Sequence, residues 1–473
     1  MVFALENRAI RSVVFFLTSL SFTLFIAGNP FFWDSVGQMS VPANWYYDND
    51  FASFFLPDEI ATGHPSLAGT YLALMWKVFE RSLFVSHMAM FPFIFGIFLQ
   101  LYRMIARADL NLRDTLLTLT IVLCDATLVS QMSMITFDIP QIFFYLWCIN
   151  SILDRRKTSL SIGFAALMLT SLRGSLTGFG VILFSLIYYH RERGWLLIKK
   201  AFPFFPGLLL FILYFLFFYL EKNWIIFNPY SSSYEHFAQF ASFPEILRNI
   251  GIAGWRLVDF GRSGIWLVLI FILSTSIRKR TFPDEFSRNM FLIALCQFLV
   301  FFSVVIFFKN PFGHRYFLPV IIPVAAAVVC WILKYLKHKY LIYSIILVLT
   351  LSGYFWVYPA GISTGWDATP AHWSYFRVRN EMLSEVNELG IPHDEICSFF
   401  PNNTPSGFTD LVFPGILIND AEKGENCRYI LYSNVFNLND RKIEEIFNTT
   451  EWSQLIEKHR CQVSMILFKR NSE

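Results

Sequence analysis

Asp34, Asp48, Asp50, Asp58, Glu59 and His64 fall within one stretch, Trp33–Lys77, just after the first long apolar segment. A carboxylate placed there can serve as a general base toward a hydroxyl. Charged groups beside a bilayer are costly unless they face water or a cavity, so the cluster marks a site. Further charges stand at comparable positions downstream: Asp138 in FDIPQIFF, Arg173 in SLRGS, and Lys309, His314 and Arg315 in FFKNPFGHRYFLP. The segment 221–263 adds Glu235, His236, Arg256, Asp259 and Arg262. Arginine and lysine near an interface suit a phosphate group. A leaving lipid phosphate needs such cations, or a divalent metal, to stabilise its charge. The chemistry these residue types suggest is group transfer from a lipid phosphate at a membrane surface.

The elements that must position them are transmembrane helices. The chain has 473 residues, 55% of them hydrophobic and 15% charged, with 54 phenylalanines. Soluble domains carry about 25% charged residues. Apolar runs predict spans near 10–28, 84–103, 113–131, 139–153, 159–172, 175–189, 202–220, 264–277, 289–308, 316–333 and 341–357. The first follows Arg8 and Arg11 and ends in the bulky FFWD, so it reads as an uncleaved helix. With about eleven spans, the basic residues Arg8, Arg103, Arg107, Arg155, Arg156, Arg191, Arg193, Lys199, Arg278, Lys334 and Lys337 all fall on one side, the cytoplasm. The N-terminus is then cytoplasmic, and the acidic loop 29–83 is outside. Leu67–Phe79 is short for a span and reads as a helix on the outer interface; a twelfth crossing is the alternative. The fifth and sixth spans meet at Ser171–Ser175, which puts Arg173 below the outer surface, where it could pair with a buried carboxylate such as Asp125. The expected organisation is a transmembrane catalytic domain, 1–357, with outer juxtamembrane helices.

Residues 358–473 read as a small extracytoplasmic α/β domain. HWSYFRVRNEMLSEVNELG has helical periodicity and stops at a glycine. DEICSFF, CRYILYS and CQVSMILFKR predict strands, and DRKIEEIFNTTEWSQLIEKHR predicts a helix. Cys397, Cys427 and Cys461 permit one disulfide; Cys124, Cys148, Cys296 and Cys330 lie in apolar runs and read as packing residues. A net charge of +3 gives no case for nucleic acid. The tail holds no glycine-rich phosphate loop and no nucleophile motif. His64 and His236, with Asp138, are the candidate metal ligands, although no fixed spacing on one helix supports them.

In order and placement these motifs resemble the polytopic GT-C glycosyltransferases, the group of the protein O-mannosyltransferases and the aminoarabinose transferase of lipid A. The resemblance rests on Asp34 after the first span, His64-Pro65-Ser66-Leu67, Asp138 opening a later span, Arg173-Gly174, and Arg315-Tyr316-Phe317-Leu318-Pro319 with Pro323. Two departures stand out. Ser66 replaces a proline, and Gly63 precedes His64 where the aminoarabinose branch has an acidic metal ligand followed by lysine. The resemblance implies transfer of a sugar from a polyprenyl-phosphate carrier to a lipid, glycan or protein acceptor, at the periplasmic face of a bacterial inner membrane. It implies Asp34 as the catalytic carboxylate, Asp138 as a second acid, and Arg315 and Arg173, with Lys309, on the donor phosphate. Asp58, Glu59, His64 and His314 are candidate substrate contacts. A transporter or flippase would also explain Asp125 and Arg173 but not the acidic outer loop, and a polysaccharide polymerase or ligase more often has its dominant loop late in the chain.

Overall fold

The computed structural model describes residues 8–190, 199–230, 239–279, 284–309, 313–358, 365–413, 415–423, 427–436, 438 and 440–471. It is mostly helical. Arg8–Ile26 forms α1 and leads through a π-helical turn, Val36–Ser40, into α2, Val41–Asp48. Next comes α3, Leu67–Val78, packed on α2. At 12 residues it is about 18 Å long, too short to cross a bilayer. The bundle continues through α4 (Leu83–Ile105), α5 (Leu112–Leu123), α6 (Ala126–Met132), α7 (Asp138–Leu153), α8 (Lys157–Thr170) and α9 (Leu172–Tyr188). It closes with α10 (Phe205–Lys222), α11 (Phe243–Val258), α12 (Ser263–Lys279), α13 (Glu285–Val305), α14 (Leu318–Tyr335) and α15 (Lys339–Ser352).

Among the described residues, five helices are long and apolar enough to cross a membrane, or seven if each of two bent pairs is one span. Three shorter apolar helices, α8, α9 and α15, fall where further spans were expected, and α7 covers the segment expected to span at 139–153. The span containing α14 is buried almost throughout and packs against α5, α12, α13 and α15, so the bundle is built around it.

Two spans differ from the pattern that hydropathy suggests. The third is broken: α5 and α6 meet at 72° around Cys124-Asp125. The Asp125 carboxylate caps α6 by accepting from the Leu128 amide at 3.0 Å, which is why the helix restarts there. Hydropathy cannot show this, because both pieces are apolar. The segment before the eighth span is not a plain loop. It contains α11, started by Ser242 and Glu245 as a capping box and set at 99° to α12. If α12 crosses the bilayer, α11 lies along its surface. Its open apolar residues Phe243, Leu247 and Ile250 fit such an interfacial helix.

The C-terminal part has its own apolar core. Helix α16 (Trp373–Glu388) packs on a five-stranded sheet of β1 (Ile396–Ser398), β2 (Asn419–Asp420), β3 (Tyr429–Ser433), β4 (Trp452–Arg460) and β5 (Val463–Arg470), in the order β2-β1-β3-β5-β4. The expected long helix over 440–460 is corrected: the helix stops at Asn448, and Trp452–Arg460 is an edge strand antiparallel to β5. The pairing with β5 overrides a polar sequence that has no strand-like alternation. Cys397 and Cys427 form the one disulfide, leaving Cys461 exposed.

This second core reaches into the segment that follows α1. Phe32 and Trp33 belong to it, and the Trp33 indole donates to the Val435 carbonyl at 3.0 Å. The Phe31 amide donates to Thr409 O, and the Ser40 hydroxyl to Phe408 O. Asp34 is therefore held from both sides, by α1 below and by the C-terminal domain above.

Candidate active site

Asp34 sits at the entry to the π-helical turn, a local form that often marks functional positions. Its carboxylate pairs with Arg315, and Gln38 donates to the same oxygen at 3.2 Å. Arg315 comes from a 3-10 turn, His314–Phe317, that feeds α14. It is a hub: besides Asp34 it meets Asp138 at 3.6 Å and pairs with Asp367. Asp138 opens α7 and lies 3.0 Å from Arg173, in the first turn of α9. The Ser171 hydroxyl caps that turn at the Gly174 amide. Gln38 also reaches toward Arg173, at 3.5 Å, and the Arg173 guanidinium stacks on Phe137 and Tyr316. Sequence-distant Asp34, Asp138, Arg173 and Arg315 thus meet in one cluster.

The three carboxylates differ in access. Asp138 and Asp367 show 5% and 14% of their side chains, whereas Asp34 shows 39%. Surrounding protein desolvates Asp34, which raises its pKa, but Arg315 and then Arg173 outweigh that and hold it below the ordinary carboxylate value. Asp34 is therefore an ionised, reachable carboxylate.

His64 is beside the cluster rather than in it. Its Nδ1 accepts from the Leu172 amide at 3.2 Å, and its ring packs on Phe137. Burial, then Arg173, lower its pKa to about 3, so it is neutral with its proton on Nε2. Asp58 serves the scaffold: it accepts from the Trp224 indole at 3.0 Å and lies 3.9 Å from Lys222. Glu59 is exposed. Lys309 contacts Gln239 at the surface, not the cluster. His314 turns away from it, to Asp259 at 2.8 Å. His236 and Glu235 lie outside the described residues.

Arg173 does not pair with Asp125, which instead takes a two-pronged bond from Arg262 at 2.7 and 2.8 Å. Sequence reasoning also missed Asp367 and Gln38. Asp367 had a usable signal: like Asp34, it is a carboxylate shortly beyond the end of an apolar helix.

The described part of the donor set, which leaves out His236, does not suit the divalent metal considered from sequence. Among the described residues, no group of three His, Cys, Asp or Glu side chains could hold one. Both Asp138 oxygens face guanidinium groups, and His64 has spent Nδ1 on a backbone amide. Gly63 has φ +75°, and a Cβ there would lie 2.0 Å from the Ile226 carbonyl oxygen, so this backbone admits no acidic side chain at that position. Gly63→Ala is expected to destabilise the protein by at least about 1–2 kcal/mol, the cost of a left-handed alanine, and a thermal melt at unchanged midpoint would contradict it.

No family model matches the chain, and no curated protein matches it. Two solved structures do: ArnT from Cupriavidus metallidurans in the apo state, at TM-score 0.54, and the same protein bound to undecaprenyl phosphate, at 0.52. Each is 11% identical, with 98% of both chains covered. The resemblance to GT-C glycosyltransferases, first carried by short motifs, is met at the level of the whole architecture. From its first helix to its last strand, the chain has the ArnT fold.

Proposed function

We propose that this chain is an integral membrane glycosyltransferase that moves a sugar from a polyprenyl-phosphate carrier to a lipid, glycan or protein acceptor at the outer face of the bacterial inner membrane. The observation that carries the proposal is Asp34: of the three carboxylates gathered on Arg315, it is the most open, and it is kept ionised. The fold supports the substrate class, since ArnT, an aminoarabinose transferase, has been solved with undecaprenyl phosphate. An apolar cavity of about 640 Å³, lined by Phe54, Phe55, Leu169, Tyr214, Phe217 and Leu220, flanks the outer loop and admits a hydrocarbon chain.

In the reaction, the acceptor oxygen attacks the anomeric carbon and the bond from that carbon to the phosphate oxygen breaks, with inversion. The phosphate leaves with the bonding electrons, and the acceptor proton passes to Asp34. Arg315 keeps Asp34 ionised but makes it a weak base. The proton therefore moves late, once bond formation has made the hydroxyl acidic. Asp138 and Arg173 hold Arg315 in place. No step passes through a metal.

The test is release of polyprenyl phosphate and appearance of glycosylated acceptor from purified protein in lipid nanodiscs, given an undecaprenyl-phosphate-linked sugar. Movement of the lipid across the bilayer with no transfer would instead identify a flippase. Excess EDTA is expected to leave the transfer rate within about twofold, because the described residues of the site include no donor set that would hold a catalytic divalent ion. Loss of activity that zinc, magnesium or manganese restores would contradict this.

A further inference from the structure

Arginine carries a fork of donors that matches both oxygens of one carboxylate. Two other arginines of this chain use it that way. Arg262 takes both oxygens of Asp125 at 2.7 and 2.8 Å, and Arg379 takes both oxygens of Asp410 at 2.8 and 2.9 Å. Arg315 does not. Its Nη2 goes to Asp34, its Nη1 to Asp367, and its Nε lies 3.6 Å from Asp138. Each nitrogen faces a different carboxylate. Asp34 is therefore held at Oδ2 alone, the oxygen that also accepts from Gln38, and among the described residues nothing donates to its Oδ1.

Charge balance does not call for Asp367. Two guanidinium groups, from Arg173 and Arg315, already match Asp34 and Asp138, so Asp367 leaves the cluster with one net negative charge and adds like charge beside the other two carboxylates. The chain nevertheless fixes it firmly. Its neighbours Trp366 and Ala368 are both buried. Its carbonyl accepts from the Ser130 hydroxyl at 2.7 Å and from the Gln131 amide at 2.8 Å, both on α6. Thr136 donates to Gln131 Oε1 at 3.1 Å, which turns the amide nitrogen toward Asp367. The half-helix that restarts at Asp125 is thus the seat of Asp367. A carboxylate kept against charge balance on a fixed backbone points to function rather than stability.

We propose that Asp367 is a positioning residue of the reaction centre: by occupying Arg315 Nη1 it keeps the fork from closing on both oxygens of Asp34, and so leaves Oδ1 open to the acceptor hydroxyl. Without it, the guanidinium is free to turn until Nη1 reaches Oδ1. Asp34 is then gripped as Asp125 and Asp410 are, and becomes a weaker and less reachable base. The inference rests on the transferase reading for the acceptor.

The test uses the purified full chain in lipid nanodiscs, given an undecaprenyl-phosphate-linked sugar and acceptor. Asp367→Ala is expected to lower kcat about three- to tenfold, the loss from a base weakened by up to one unit, with the KM for the donor unchanged. Its melting temperature should be no lower than wild type, because the surplus charge is gone. Asp367→Glu keeps a carboxylate at Nη1 and should recover most of the rate. A second readout needs no transfer. The Asp34 carboxylate stretch, isolated as the infrared difference between each protein and its Asp34→Asn counterpart at neutral pH, should move in Asp367→Ala and stay in Asp367→Glu. An unmoved band or a wild-type kcat in Asp367→Ala overturns the proposal. So does a melt clearly below wild type, which makes Asp367 a structural anchor. A moved band in a protein that transfers no sugar keeps the positioning role and sinks the transferase, whereas transfer by the wild type with an unmoved band in the variant does the reverse.

Discussion

Asp34→Asn is expected to lower the rate of sugar transfer by about 10²–10⁴-fold, the range general-base groups contribute. The substitution keeps the shape of the side chain and its contact with Gln38, which lies 3.2 Å away. Arg315 keeps Asp138 and Asp367 as partners, so the cluster should not collapse. What is lost is the most open proton acceptor. The loss should fall on kcat, with the KM for the lipid donor nearly unchanged, because the donor phosphate is not assigned to Asp34. Transfer at the wild-type rate would remove Asp34 from the mechanism. A raised KM at constant kcat would make it a binding group.

The second large effect concerns stability. Arg262 and Asp125 are both buried, with side-chain exposures of 1% and 7%, and they face each other through two charged hydrogen bonds. Arg262→Met leaves Asp125 as an unpaired buried charge, at a cost of about 3–5 kcal/mol. Asp125 also caps α6, and Arg262 stands at the bend between α11 and α12. The variant should therefore melt well below wild type in detergent and be recovered in low yield. Adding Asp125→Asn should restore most of the loss, since asparagine still caps α6 and carries no charge. An unshifted melting temperature in Arg262→Met, or no recovery in the double variant, would show that the pair does not hold this corner.

Much of the site was legible because a membrane makes charge conspicuous. Asp34, Asp138, Arg173 and Arg315 each stand at the end of an apolar run, where a charge has a cost and so a reason. The structure brings all four together. Hydropathy says where a charge lies along the membrane normal, but not which neighbour it faces across the bundle. In sequence Arg173 could therefore pair with a carboxylate such as Asp125, whereas the partner of Asp125 is Arg262, 137 residues away. Lys309 and His314, beside Arg315 in sequence, diverge from it in space because the chain turns sharply into α14. Asp367 was overlooked because it belongs to the tail, where a polar residue attracts no notice. In that same tail, β4 was misassigned because only Ile456 along it is buried, so its strand character comes from its partner, β5.

The contact between Asp367 and Arg315 also sets an order of events during synthesis. Asp34, Asp138, Arg173 and Arg315 all leave the ribosome before Asp367 does. Until then, Arg315 has only two of its three carboxylates, and Trp33 has no Val435 carbonyl to anchor it. A nascent chain with every helix of the bundle made is thus still incomplete at this cluster. The cluster is completed only with the last quarter of the polypeptide, so it cannot form in full until the C-terminal domain has been made.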